Sequence, residues 1–140
     1  MCAADELLRG FSDFDKAIEL KPDYADAYFE MAKVRAQLGQ IELAVQAYTA
    51  AIKANPTHSM AFNNRGVIYG NLNQRELAFG DYNDAIRAND RNKFAWANRG
   101  IIFALKRDRQ RAMDDLKHAL DIDPNYQYAL NALKRLGVRR

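Results

Sequence analysis

The chain has 140 residues, 49% of them hydrophobic and 28% charged, with a formal net charge of +3. That length and balance suit one domain with a core of its own and exclude a disordered or low-complexity chain. No apolar run approaches the ~20 residues of a membrane span, and the single cysteine, Cys2, excludes an internal disulfide framework.

The charge is uneven. Residues 1–92 carry 10 Lys/Arg against 13 Asp/Glu, whereas residues 93–140 carry 11 against 5. A basic carboxy-terminal end is therefore expected, though a modest one beside nucleic-acid-binding domains. The opening "MCAADELLRG" lacks the apolar core of a secretory signal, so the expected location is cytoplasmic.

Pro22, Pro56, Asp90 and Pro124 recur every 34 residues, each after an amphipathic segment: "FDKAIELKP", "YTAAIKANP", "YNDAIRAND" and "LKHALDIDP". A fixed period of that size predicts an all-α solenoid of antiparallel helix pairs. Residues 5–24 read as the second helix of a partial repeat, with Phe11, Phe14, Ala17 and Ile18 on its apolar face. Residues 25–58 form the first full repeat: Tyr28, Met31, Ala32 and Arg35, a turn at Gly39, then Ala44, Ala47, Tyr48 and Ala51. Residues 59–92 repeat it with Phe62, Gly66 and Tyr69, a turn at Asn73, then Ala78, Tyr82 and Ala85. Residues 93–126 follow with Trp96, Gly100 and Phe103, a turn at Arg107, then Ala112, Leu116 and Ala119. Gly39 and Asn73 suit the left-handed conformation that ends a helix; Arg107 suits it poorly. Residues 127–140 close the array with a capping helix, Leu130 and Leu133 inward and Lys134, Arg135, Arg139 and Arg140 outward.

Within the repeats, Arg65 and Arg99 stand inside apolar runs, and 16 residues after each stands an aspartate, Asp81 or Asp115. The first full repeat holds Met31 and Ala47 in the same two places. Arginine comes with aspartate and methionine with alanine, which predicts a structural ion pair across each helical hairpin. Asp13 holds the aspartate's place in the partial repeat.

No constellation for catalysis or metal binding stands out. His58 and His118 are isolated, and no glycine-rich phosphate loop or nucleophile motif is present. The chain is read as no enzyme, with no cofactor and no metal.

An aromatic, a small residue, Ala, an aromatic, Ala and Pro in that order over 34 residues resemble the tetratricopeptide repeat (TPR) family. Departures are Asp90 for Pro, Arg65 and Arg99 at a usually apolar place, Arg35 at a usually large apolar or aromatic one, and Gly10 for Ala. The resemblance implies a right-handed superhelix whose first helices line a concave face that grips a partner peptide. The candidate groove residues are then Phe29, Lys33, Met60, Asn63, Asn64, Val67, Phe94, Asn98, Ile101, Tyr128 and Asn131, with Asp26, Glu30, Ala97 and Arg135 beside them. Asn64 and Asn98 look like the asparagine ladder of the O-GlcNAc transferase TPR region, where amides hold a peptide backbone. TPR co-chaperones instead hold the terminal carboxylate of heat-shock proteins with a clamp of Lys, Asn and Arg. The corresponding places here hold Phe29, Lys33, Phe94 and Asn98, and only Asn64 fits that clamp.

The expected function is a non-catalytic protein-interaction module or scaffold for a protein or peptide partner. Two alternatives are self-assembly through the uncapped amino-terminal helix, at Phe11 and Phe14, and a basic edge at Lys106–Arg111 that binds an acidic protein, RNA or a membrane surface. The aromatics alternate with buried positions and leave no base-stacking platform, which speaks against nucleic acid.

Overall fold

The computed structural model describes residues 24–138. Among them are seven helices and no strand: α1 (Ala25–Gln37), α2 (Ile41–Ala54), α3 (Ser59–Asn71), α4 (Arg75–Ala88), α5 (Lys93–Leu105), α6 (Arg109–Ile122) and α7 (Gln127–Arg135). The partial-repeat helix expected over residues 5–24, with Gly10, Phe11, Asp13, Phe14, Ala17 and Ile18, lies outside the described residues except for Tyr24, as do Cys2, Arg139 and Arg140.

The local sequence explains where each helix begins and stops. His58, Asn92 and Asp108 cap α3, α5 and α6 by accepting the N–H of Ala61, Ala95 and Arg111. Four helix ends carry a residue at positive φ, Gly39 (78°), Asn73 (60°), Arg107 (63°) and Gly137 (79°), and at the first three the chain turns back into the next helix. After each, the next N–H reaches back to close the helix end; Gln40 donates to the Arg35 carbonyl at 2.9 Å and Asp108 to that of Phe103 at 2.9 Å.

Gly39 and Gly137 take this conformation freely and Asn visits it readily, but Arg107 does not. The turn geometry of the repeat overrides the residue's preference. Arg107→Gly is expected to raise stability by about 0.5–1 kcal/mol, since relief of left-handed strain outweighs the extra freedom of glycine in the unfolded chain. A urea midpoint no higher than that of the native chain refutes this.

The helices pair as α1 on α2, α3 on α4 and α5 on α6, and α7 closes the array against α6. Small residues let each pair approach. A methyl group on Gly66 would lie 2.8 Å from the Tyr82 ring, and one on Gly100 would lie 3.1 Å from Leu116 and 3.2 Å from the Ala112 carbonyl. Ala32 fills the same place in the first pair and is fully buried. The second helices contribute a stripe of alanines, Ala44, Ala51, Ala78, Ala85, Ala112 and Ala119, none with any exposure. In α7, Leu133 is buried and Leu130 packs on the same cluster, while Lys134 and Arg135 are exposed.

One asymmetry gives the array its inside. The first helices of successive pairs touch, α3 with α5 and α5 with α7, whereas the second helices have no comparable contact. The stack therefore curves toward α3, α5 and α7, the helices that carry all the candidate groove residues except Phe29 and Lys33 of α1.

Candidate functional site

Phe94, Asn98, Ile101 and Leu105 recur on α5 at helical spacing, so they form one stripe along its length. At the carboxy-terminal end of that stripe is a cleft of about 220 Å³, lined by Val67, Arg75, Asn98, Ile101, Leu105 and Tyr128 among others. Val67, Leu105 and Tyr128 are large apolar or aromatic side chains left 37%, 51% and 44% exposed. At the other end, Met60 and Phe94 line a second cleft of about 400 Å³, with Arg91, Lys93 and Asp123 at its edge. Six of the expected groove residues, Met60, Val67, Phe94, Asn98, Ile101 and Tyr128, thus line two separate clefts among the described residues.

Phe29 and Lys33 belong to neither cleft. The Phe29 ring packs on His58 at 4.7 Å and on Tyr48 at 5.8 Å, with the Lys33 ammonium 4.9 Å above it. Lys33 is also paired with Glu30 at 3.1 Å, and the Asp26 carboxylate bonds His58 at 3.2 Å. Asn131 is exposed and accepts a hydrogen bond from Gln127 on its own helix at 2.9 Å.

The asparagines are joined to one another. Asn98 Nδ2 donates to Asn63 Oδ1 at 3.0 Å, Asn63 Nδ2 to Asn64 Oδ1 at 3.2 Å, and Asn64 Nδ2 to the Tyr48 hydroxyl at 3.3 Å. This chain crosses from α5 through α3 to α2. Burial raises the Tyr48 hydroxyl above its ordinary range, so it stays neutral and keeps its own proton. Asn63 is only 4% exposed and Ala97 not at all, so neither is a groove contact, contrary to the reading from helical phase. Asn63 lies where α3 and α5 touch, and Ala97 packs with residues of α6 and α7. Asn63 instead carries hydrogen bonding between repeats, and removing Asn98 would leave its buried carbonyl without that donor.

Arg65 and Arg99 face away from the clefts. Arg65 donates from Nε and Nη2 to both Asp81 oxygens at 2.9 and 2.7 Å, and Arg99 grips Asp115 the same way at 2.8 and 2.9 Å. Each guanidinium spends a further donor on the preceding helix pair: Arg65 on Thr49 and Arg99 on Asn83, both at 3.1 Å. Aromatic rings flank both, Phe62 and Tyr69 about Arg65 at 5.9 and 5.8 Å, and Trp96 and Phe103 about Arg99 at 4.9 and 5.7 Å. Burial holds the Asp81 carboxyl above the ordinary carboxylate range although the bonds from Arg65 pull it down. The same bonds raise Arg65. Pairing roughly offsets desolvation, so the pair itself adds little stability while removing one partner carries a large penalty.

Most of the basic edge is engaged within the chain. Lys106 pairs with Glu76 at 3.1 Å, Arg109 donates to the Leu136 carbonyl at 3.0 and 3.2 Å, and Arg111 lies 3.6 Å from Asp108. Among the described residues, no group of three His, Cys, Asp or Glu gathers as a metal site, and no helix is long and apolar enough to cross a membrane.

Comparison with known proteins agrees with this geometry. Tetratricopeptide repeat profiles match residues 14–46, 47–78 and 95–126. Among solved structures, the first TPR of Spaghetti (RPAP3) bound to the HSP90 peptide SRMEEVD is similar at a TM-score of 0.76 and 25% identity, over 81% of this chain and 90% of that one. The Arabidopsis OM64 TPR domain gives a TM-score of 0.76 at 27% identity, over 81% and 93% of the two chains. MamA shares the fold over 99% of this chain and 87% of its own, with a TM-score of 0.73 at 18% identity. No curated protein sequence matches the chain. Matched profiles over most of its length, helices paired at the repeat spacing and these structural neighbours place it plainly: the chain belongs to the tetratricopeptide repeat family.

Proposed function

We propose that the chain is a non-catalytic protein-interaction module whose concave face, along α3, α5 and α7, holds an extended segment of a partner protein. The observation that carries this is the cleft of about 220 Å³ in which Val67, Leu105 and Tyr128 stay exposed around Asn98. Apolar side chains left open beside a fixed amide suit a chain that inserts side chains and satisfies its backbone at the same time. The domain of RPAP3, which holds an HSP90 peptide, supports peptide binding as the class of function. The carboxylate-clamp places here hold Phe29, Lys33, Phe94 and Asn98, so the segment is of a different kind from that ligand. The repeats over 25–58, 59–92 and 93–126, the partial one before them and the cap over 127–140 act on this reading as one binding domain.

The test begins with selection from a displayed library of random short peptides, followed by NMR mapping of the binders on the labelled chain. The controlling variant is Val67→Ser/Leu105→Ser, which removes apolar lining at two exposed positions where surface substitutions cost little stability. Affinity is expected to fall on the order of tenfold in that variant, as for two partly buried apolar contacts. Binders that shift only α4 and α6 signals, or whose affinity the variant leaves unchanged, move the function off this face.

A further inference from the structure

We infer that the segment held on this face carries two apolar side chains about five residues apart, each with a carboxylate beside it. The inference rests on the groove reading above and adds the chemistry of the partner.

The two clefts fix the spacing. Phe94 and Leu105 stand at opposite ends of the α5 stripe, each 40% or more exposed and each lining a different cleft. Eleven residues of helix separate them by about 16 Å. An extended chain covers that distance in about five residues at roughly 3.3 Å each. Asn98 lies between, where it meets the backbone of the bridging segment.

Charge fixes the rest. Arg75 is the sole ionisable cation or acid on the first cleft apart from the tyrosines, and nothing balances it there. The second cleft carries Arg91, Lys93 and Asp123, but Lys93 and Asp123 hold each other at 2.5 Å, so Arg91 is the unbalanced charge. Among the described residues neither the Arg75 nor the Arg91 side chain has an ion pair or hydrogen bond, in contrast to Lys106, Arg109 and Arg111 on the basic edge. An exposed guanidinium beside an apolar cleft complements a carboxylate beside an apolar side chain. Each cleft presents that combination once.

The probe is a panel of short capped Gly/Ser peptides bearing two leucines about three, five or seven residues apart, with Asp, Asn or Lys next to each leucine. Affinities are read by NMR titration of the labelled chain at low salt. The Asp peptide at the middle spacing is expected to bind on the order of tenfold tighter than its Asn counterpart, the sum of two exposed charge pairs. That advantage disappears in Arg75→Gln/Arg91→Gln, whereas Val67→Ser/Leu105→Ser weakens Asp and Asn peptides alike. Asn or Lys peptides that bind as tightly as Asp, or a preference for Asp that survives Arg75→Gln/Arg91→Gln, overturn the inference and leave the groove reading standing. Binding indifferent to Val67→Ser/Leu105→Ser, or no member tighter than about 1 mM, overturns both.

Discussion

Asp81→Ala is expected to lower the stability of the chain by about 3 kcal/mol, read as a fall in the urea midpoint at unchanged slope. The carboxylate side chain is 6% exposed and the Arg65 side chain 18%, so the substitution leaves a guanidinium largely out of water with no anion. The size of the loss comes from that orphaned charge and not from the worth of the pair. The double variant Arg65→Met/Asp81→Ala is therefore expected to be much more stable than Asp81→Ala alone. It copies the pair that the chain already uses in α1 and α2, where Met31 and Ala47 occupy the two places and Ala47 is 3% exposed. Thr49 does not suffer, since its hydroxyl still donates to the Val45 carbonyl at 2.8 Å. A double variant no better than the single one removes this account of why arginine and aspartate appear together.

Leu116→Ala is expected to cost about 4 kcal/mol, toward the upper part of the range for such truncations. Among the described residues Leu116 is the largest side chain with no measurable exposure, at a place where the two preceding pairs carry Tyr48 and Tyr82. Across from it stands Gly100, where a methyl group would lie 3.1 Å from the leucine and 3.2 Å from both the Ala112 carbonyl and the Asp115 side chain, closer than ordinary van der Waals contact. Truncating the leucine opens a space bounded on one side by helix backbone. Backbone cannot move in to fill it, so the cavity persists. Adding a methyl group from the other side, in Leu116→Ala/Gly100→Ala, is expected to recover part of the loss, whereas Gly100→Ala in the native chain crowds the leucine as well as the carbonyl and destabilises. Calorimetric unfolding of the three variants tests both signs.

Much of this was legible in the residues because repetition supplies internal controls. The breakers at Pro56, Asp90 and Pro124 mark the helix pairs, and the alternation of Arg–Asp with Met–Ala across equivalent places points to a contact between helices. The same interval of 16 residues also leads backward from Arg65 to Thr49 and from Arg99 to Asn83. The forward half of that symmetric signal stands out because aspartate is charged, whereas Thr49 and Asn83 differ from each other and give no repeated residue type. The asparagines were harder. Helical phase gives the direction of a side chain about its own axis, and on that basis Asn63 and Asn64 both point inward. Whether an inward side chain meets solvent or the next repeat depends on the rotation between repeats, which no periodicity within one helix contains. Hence Asn64 and Asn98 fall at equivalent places, yet it is Asn63 that joins them. Arg107 illustrates the opposite case: its own preference argues against the left-handed turn, and closure of α5 against α6 imposes it.

The backward bonds of the arginines also bear on how the array comes apart. In a stacked solenoid each unit has its own stability and a coupling to its neighbours, and their ratio decides whether units melt together or one after another. A guanidinium that holds its own hairpin and the preceding one ties the two terms to a single side chain, so opening one hairpin loosens the next. Links of this kind join α1–α2 to α3–α4 and α3–α4 to α5–α6. At α7 the corresponding place holds Leu133, which packs without reaching back. Among the described helices, α7 is therefore expected to come apart before the six that precede it, and those six are expected to melt together.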